Sequence, residues 1–512
     1  MKLSKLLENI TGLSTTDNGM RNLSLNEVMK DLSHYEVSGL SLDSRLVKPG
    51  DLFFAYPGEE SDGRMFIEDA IKRGAEAILA ESDDLGKFSN IKSSANLPIL
   101  FVKNLQKQVS KIAARFYNNP GKALKIIGVT GTNGKTSCTY FLGDILKQLG
   151  SRCAIMGTLG NGLYGALQPT SLTTPDAITI QKVLSECHTK EAEFVAMEVS
   201  SHSLKQGRVN AVPFTVGIFT NLTQDHLDYH GSMQSYGNAK KKLFTELSPL
   251  NSVINADDDF GYQLIQELSS HKKVYAYSIH RRFKSNDFLE IIQIDEVQLN
   301  HTGIHANVFT PWGKGEFHTQ LIGEFNLSNV LAVITTLCLL DIPLPNVLNS
   351  ISHLKPVPGR MQTLGGQDKP LVVIDYAHSP DALEKVLSAL RSHCRGKLYC
   401  VFGCGGDRDR GKRPLMAKIV ESLADYIIVT DDNPRTENPA DIVKEIIQGF
   451  SDPNAIIIEH DRAKAINNAI HHAEPGDCVL IAGKGAELYQ QIGIQKIPFS
   501  DIDEVKKSLA IL

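Results

Sequence analysis

What this 512-residue chain lacks narrows its class before any motif is read. No apolar run is long enough to span a membrane. The longest, near Val330 to Leu340, falls well short of the ~20 residues a spanning helix needs. The eight cysteines include no C-x-x-C pair, and the one cluster, Cys394, Cys400 and Cys404, has no zinc spacing. Buried, reduced thiols are therefore expected. A formal net charge of -5, with no basic tail and no aromatic-basic interleaving, lacks the electrostatic footprint of nucleic-acid binding. No continuous apolar region follows the first lysines. Leu3, Leu6, Leu7 and Ile10 instead mark one face of a short amphipathic helix, not a signal peptide, so a cytoplasmic protein is expected. Internal repeats and low-complexity tracts are also missing.

What is present divides into three blocks, as the length suggests. Residues 1–103 hold the strand-like Asp51-Leu52-Phe53-Phe54-Ala55, a helical stretch from Phe66 to Arg73 ending at Gly74, and the apolar Ala77-Ile78-Leu79. Residues 104–354 begin with a helix leading to Tyr117 and continue through strand-like runs at Phe194–Met197 and Val216–Phe219. In residues 355–512, apolar runs at Leu371–Ile374, Leu398–Phe402, Tyr426–Val429, Ala455–Ile458 and Val479–Ala482 alternate with helical segments. That rhythm predicts a doubly wound parallel sheet.

The chemistry concentrates in the loops. Thr130-Gly131-Thr132-Asn133-Gly134-Lys135-Thr136 follows an apolar strand and opens a helix that stops before Gly150. Glycines let backbone N–H groups approach phosphate, and the helix N-terminus adds its dipole. Lys135 can reach the terminal phosphates, and the Thr136 hydroxyl can sit on Mg²⁺. Strict Walker spacing would place glycine at Val129, so the loop is a variant. Glu198 ends a later strand, a position suited to Mg²⁺ or to simple capping. The segment Thr220 to Gly231 is dense in oxygen and imidazole groups, fit for ligands or for solvent. Lys240-Lys241-Lys242 by composition is a solvated helix face. In the third block, Asp375-Tyr376 with His378, Gly403 to Arg413, Asp431 to Arg435 and Gly483 to Glu487 each follow a strand. Open α/β sheets bind ligands at that edge. The Gly405–Arg413 loop, glycine-rich and cationic, suits an anionic ligand or the surface.

Together these motifs resemble the Mur ligases, ATP-dependent amide-bond formers of peptidoglycan synthesis. The likeness rests on the phosphate-loop variant, Glu198-Val199-Ser200-Ser201-His202, Asn221 through Gly231, Gly323-Glu324-Phe325-Asn326, Pro358-Gly359-Arg360 and Asp375-Tyr376-Ala377-His378-Ser379-Pro380, and it covers essentially the whole chain. It implies three α/β domains: a small UDP-binding domain, a central P-loop ATPase-like parallel-sheet domain, and a C-terminal Rossmann-like domain. It implies ATP binding by Gly131, Thr132, Asn133, Gly134, Lys135, Thr136, Ser137, Asn326 and Arg360. The UDP-sugar peptide would meet Leu42, Ser44, Thr173, Thr174, Ser200, Gln206 and Arg208. Lys240 falls where the family carries a carbamylated lysine, which with Thr136, Glu198 and His226 would hold Mg²⁺; Lys135, Lys240, Glu198 and His226 would be catalytic.

Within the family, Asp432-Asn433-Pro434-Arg435 resembles the signature of members that add meso-diaminopimelate to UDP-N-acetylmuramoyl-L-alanyl-D-glutamate. Arg435 can grip the far carboxylate that lysine lacks, and lysine would leave the guanidinium unpaired. By the same resemblance Arg408, Gly483 and Glu487 line the amino-acid site. Two positions depart from the pattern: Ala486 stands where His is common, and Gln224 where Arg is common. The expected reaction runs through an acyl phosphate, on a monomer, without nucleic-acid or membrane partners. A lysine-adding sister enzyme is the nearest alternative, and Arg435 argues against it. A P-loop switch without ligase activity would leave the third-block loops unexplained, and a folylpolyglutamate synthase would leave the first block unexplained.

Overall fold

The computed structural model describes residues 1–15, 32–59, 61–84, 97–282, 284–300 and 303–511. They form two compact units, one of residues 1–131, 150–219 and 226–252, the other of residues 132–149, 220–225 and 253–512.

The first unit contains a five-stranded sheet in the order Leu13–Thr15, Ile99–Val102, Ala77–Glu81, Asp51–Ala55, Gly39–Ser41. Its members are parallel except for the first. Asp51–Ala55 and Ala77–Glu81 are buried at every position, as strands covered on both faces must be. Leu3, Leu6, Leu7 and Ile10 are all buried in the core beneath this sheet, together with the apolar face of helix Leu105–Phe116. The helix predicted at the N-terminus is therefore present, though only Leu3–Leu6 is regular. The same unit carries the run Phe214–Phe219, Lys125–Thr130, Phe194–Glu198, Cys153–Gly157, Gly160–Leu163; all pairs are parallel except the last.

The second unit contains helix Lys135–Gln148, packed on the buried helix Glu324–Leu339. The latter is the apolar run noted in sequence. Among the described residues no helix is long and apolar enough to cross a membrane. Leu289–Asn300, Gly303–Thr310 and Gly313–Thr319 form an antiparallel ladder, a departure from the all-parallel central sheet expected from sequence.

The C-terminal part of this unit is the doubly wound sheet. Its order is Gln362–Gly365, Leu371–Asp375, Cys478–Ala482, Leu398–Phe402, Tyr426–Val429, Ile457–Ile458. Only Gln362–Gly365 is antiparallel. Helices Pro380–His393, Lys412–Leu423 and Pro439–Ile447 bury their apolar sides on one face, and Arg462–His472 and Asp501–Ile511 on the other. The fourth predicted strand is shorter than its apolar run, because Pro453–Ala455 forms a 3-10 turn that consumes the start. None of the eight cysteines is in a disulfide, and only Cys394 is not fully buried.

Candidate functional site

The phosphate loop is shaped by one glycine in particular. Gly134 has φ +86°, and a Cβ there would lie 2.4 Å from Asn329 Oδ1. Only glycine relieves both constraints. Asn133 N–H donates to Asn221 Oδ1 at 2.9 Å, and Thr220 Oγ1 donates to Asn133 O at 2.6 Å, so the 220–221 segment braces the loop. Helix Lys135–Gln148 starts at Gly134 with no side-chain cap, and the positive end of its dipole lies at the loop. Lys135 Nζ donates to Thr132 O at 2.8 Å. Thr136 is buried and Ser137 half-buried in the first turn. Asn326 is buried in the first turn of its own helix and donates to Ile322 O. The Arg360 guanidinium lies 4.6 Å from the centre of the Tyr376 ring.

In the first unit, Glu198 is buried at the end of its strand. Its Oε1 accepts from Thr158 N–H at 2.8 Å, and Thr158 Oγ1 donates to Oε2 at 3.3 Å. A Cβ on Gly157 would meet Glu198 Oε1 at 2.3 Å, so that glycine makes the room for the carboxylate. Lys240 is 1% exposed; its Nζ donates to Gly131 O at 2.7 Å and lies 4.4 Å from the Tyr236 ring centre. His226, with φ +52°, presents an exposed ring 4.9 Å from that of His202, which stacks on Tyr229. Burial, and then the neighbouring His226, lower the His202 pKa. Burial chiefly, with His202 next, pushes His230 down to about 4, and its Nε2 lies 2.9 Å from Ser201 Oγ. Among the described residues no three His, Cys, Asp or Glu side chains are grouped to hold a metal. An ammonium repels a cation, so Lys240 fits a metal site only as a carbamate.

The residues expected for the sugar peptide divide in two. Thr173, Thr174, Ser200, Gln206 and Arg208 are brought together. Thr174 Oγ1 donates to Glu198 O (2.8 Å) and accepts from Ser200 N–H (3.0 Å). Arg208 donates to Thr174 O (2.8 Å) and Gln206 Oε1 (2.6 Å), and the hydroxyls of Thr158 and Thr173 are 3.3 Å apart. Leu42 and Ser44 lie apart from that chain of bonds, in the turn after strand Gly39–Ser41, where Leu42 packs on the first core. Sequence reasoning missed Thr158 and Tyr56, whereas Tyr229 falls in the Thr220–Gly231 segment. Burial, and then Asp176, raise Tyr56 to about 12, while Arg208 acts in the opposite sense.

At the edge of the C-terminal sheet, Asp432, Asn433, Arg435, Gly483 and Glu487 converge. Gly483 has φ +116°, and a Cβ there would lie 2.5 Å from Asp432 Oδ2. Asn433 Nδ2 donates to Glu487 Oε2 at 2.9 Å. Pro434 is buried beside Gly406. Arg435 has φ +52°; its N–H donates to Gln491 O, its carbonyl accepts from Gly493 N–H, and Nη1 donates to Gly406 O at 2.7 Å. Gly405 separates Arg435 Nη1 from the side chain of Arg408, which is exposed. Burial raises the pKa of Asp432, against the nearby Arg462 and Lys484.

One expectation is narrowed here. The cationic Gly405–Arg413 loop is not broadly open to anions: Arg413 is fully buried between Glu437 and Glu445, and Arg410 also pairs with Glu437. Arg408 keeps an exposed guanidinium. Sequence reasoning also overlooked Lys484, which is fully buried, and the hairpin Tyr489–Ile492/Gln495–Pro498, whose Gln490 donates to Asp432 O at 2.7 Å. His378 Nδ1 lies 2.7 Å from Tyr376 O and so carries the proton, leaving Nε2 as the basic nitrogen.

A phosphate loop, and a parallel-sheet edge lined with both acidic and cationic side chains, are the equipment of a nucleotide-driven ligase. Three family descriptions match consecutive parts of the chain: "Mur ligase family, catalytic domain" at residues 36–117, "Mur ligase middle domain" at 129–337, and "Mur ligase, glutamate ligase domain" at 359–485. The chain is 50% identical over 471 residues to the UDP-N-acetylmuramoyl-L-alanyl-D-glutamate–2,6-diaminopimelate ligase of Ectopseudomonas mendocina, covering 92% of this chain and 94% of that one. A solved structure of an enzyme of the same name superposes with TM-score 0.69 at 34% identity, covering 97% and 99% of the two chains. The fold alone is shared with the MurF ligase of Thermotoga maritima solved with ADP, at TM-score 0.60, 19% identity and coverage of 93% and 97%. The chain belongs to the Mur ligase family, with its three-domain α/β architecture, and is an ATP-dependent amino-acid ligase.

Proposed function

We propose that this enzyme adds meso-diaminopimelate to UDP-N-acetylmuramoyl-L-alanyl-D-glutamate in cytoplasmic peptidoglycan synthesis, acting as a monomer. The observation that carries the reading is Arg435. Its backbone is clamped on both sides by the hairpin, one guanidinium arm is tied to Gly406 O, and Nε and Nη2 have no partner among the described residues. That is a fork set out for a carboxylate at a fixed place. Arg408 lies across Gly405 from it, and Glu487 supplies a carboxylate for the substrate ammonium.

The γ-carboxylate of the D-glutamate residue attacks the γ-phosphorus of ATP, and ADP leaves. The diaminopimelate amine then attacks the acyl phosphate carbonyl and loses a proton, and phosphate departs from the tetrahedral intermediate to leave the amide. Lys135, the Thr132–Ser137 N–H groups, Asn326 and Arg360 bind and orient the nucleotide. Leu42, Ser44, Thr173, Thr174, Ser200, Gln206 and Arg208 hold the sugar peptide. Catalysis is mainly positioning and charge neutralisation. His378 Nε2 is the nearest thing to a base for the amine. Mg²⁺ is a hard cation with a preference for oxygen. Within the first unit Glu198, His226 and, as a carbamate, Lys240 would hold the ion, and the Thr136 hydroxyl is the ligand expected from the phosphate loop; the ion would neutralise phosphate charge. Boundaries at residues 103/104 and 354/355 separate the three domains. Omitting the UDP-sugar peptide tests the order of events: phosphate release should stop, and brisk release from ATP with diaminopimelate alone would contradict the acyl-phosphate route.

A further inference from the structure

Lys484 has no role in the scheme above, yet it is fully buried at the centre of the amino-acid loops. Its Nζ donates to Asn433 Oδ1 at 3.0 Å and to Glu487 Oε2 at 2.9 Å, and Asp432 Oδ1 lies 4.0 Å away. The Tyr489 ring centre is 5.7 Å from it. A buried ammonium is a poor device for stability alone, since an apolar side chain of similar volume commonly serves as well or better. What the ammonium adds is direction.

The directional consequence can be read atom by atom. Asn433 Oδ1 accepts from Lys484 Nζ and also from Gln491 N–H at 2.8 Å. That fixes which end of the amide is oxygen, so Nδ2 must face Glu487 Oε2, which it meets at 2.9 Å. Glu487 Oε2 thus takes two donors, Lys484 and Asn433, and the carboxylate cannot swing. Oε1 is left without a partner among the described residues.

We propose that Lys484 is the positioning residue of the amino-acid site. It locks the Asn433 amide and the Glu487 carboxylate so that Oε1 is presented to the ammonium of the incoming diamino acid. The inference rests on the function proposed above. It also makes Glu487 and Asn433 one unit, so the effects of disturbing them should not add.

The test is a double-mutant cycle of Lys484→Met and Glu487→Gln with steady-state kinetics in diaminopimelate and in ATP. In Lys484→Met, KM for diaminopimelate should rise about 10- to 100-fold, the range expected for lost charge-assisted hydrogen bonds, while KM for ATP stays within about 3-fold. The double variant should be no worse than the worse single variant. A folded Lys484→Met enzyme with unchanged KM for diaminopimelate, equal losses toward ATP, or additive effects in the cycle would each overturn the proposal. Should Lys484→Met not fold, Lys484→Gln, uncharged and similar in reach, takes its place in the same cycle. The unmodified enzyme runs alongside: if it fails to use diaminopimelate, the function reading falls, whereas an active enzyme with an additive cycle removes only the role of Lys484.

Discussion

Replacing Arg435 by alanine separates selection of the amino acid from everything else the enzyme does. The residue sits in the left-handed region at φ +52°, and its backbone bonds to Gln491 and Gly493 do not involve the side chain. Alanine can keep both bonds at similar backbone strain, so the loop should hold its course. What is lost is the guanidinium. Nη1 is already committed to Gly406 O, leaving Nε and Nη2 for a substrate carboxylate. Two charge-assisted hydrogen bonds at about 1.5–3 kcal/mol each, discounted for a half-exposed site, give about 3–4 kcal/mol, or roughly 10²–10³-fold in kcat/KM for diaminopimelate. The assay is coupled ADP release with each substrate varied in turn. The loss should fall on diaminopimelate, with KM for ATP and for the sugar peptide little changed, and discrimination against lysine should shrink. Equal losses toward all three substrates would refute the selector role and reduce Arg435 to a structural residue of the loop.

Other outcomes follow from the same geometry. Lys240→Ala should abolish turnover, with partial rescue by a short carboxylic acid at high concentration; full activity without rescue would exclude a carbamate. Asp501→Ala removes the carboxylate from a fully buried pair whose two bonds to Arg462 are both 2.7 Å, and should cost about 3–5 kcal/mol in urea unfolding. The hydrogen bond from Arg413, reinforced by the Asp407 N–H and Arg410, holds Glu437 down to about 2 from an ordinary 4.5. A carboxylate depressed in the folded state contributes stability that is complete above its unfolded pKa and is lost as pH falls through the folded one. Glu437→Gln should therefore melt lower than the parent near pH 7, and the gap should close between about pH 5 and pH 2. A gap independent of pH would show that the pair contributes nothing through its charge.

The C-terminal site was legible because its logic is topological. Apolar runs alternating with helices predict a parallel sheet, and the odd residues after each run must gather at one edge. Asp432 to Arg435 and Gly483 to Glu487 do gather there. Sequence could not tell paired cations from open ones: Arg413 finds its acids 24 and 32 residues away, and adjacent Arg and Lys side chains look alike until those partners are placed. Thr158 escaped notice for the same reason, its carboxylate being 40 residues distant. Lys484 lay inside a loop already singled out, but nothing local distinguishes a buried ammonium from a solvated one. The hairpin from Tyr489 to Pro498 lacks a clean alternation of apolar and polar residues, and its turn depends on Gly493 at φ +60°. Conversely, the apolar run at Ala455–Ile458 promised more strand than forms, because Pro453 opens a turn that ends at Ala455.

The central claim is that this ligase is built to take diaminopimelate, and one measurement meets it directly. Phosphate release is followed with ATP and UDP-N-acetylmuramoyl-L-alanyl-D-glutamate, against meso-diaminopimelate, lysine and ornithine in parallel. The predicted result is rapid release with diaminopimelate and a selectivity over lysine on the order of 10²–10³, the magnitude worked out above for the half-exposed Arg435 guanidinium left without its carboxylate. Comparable rates with lysine or ornithine would contradict the account.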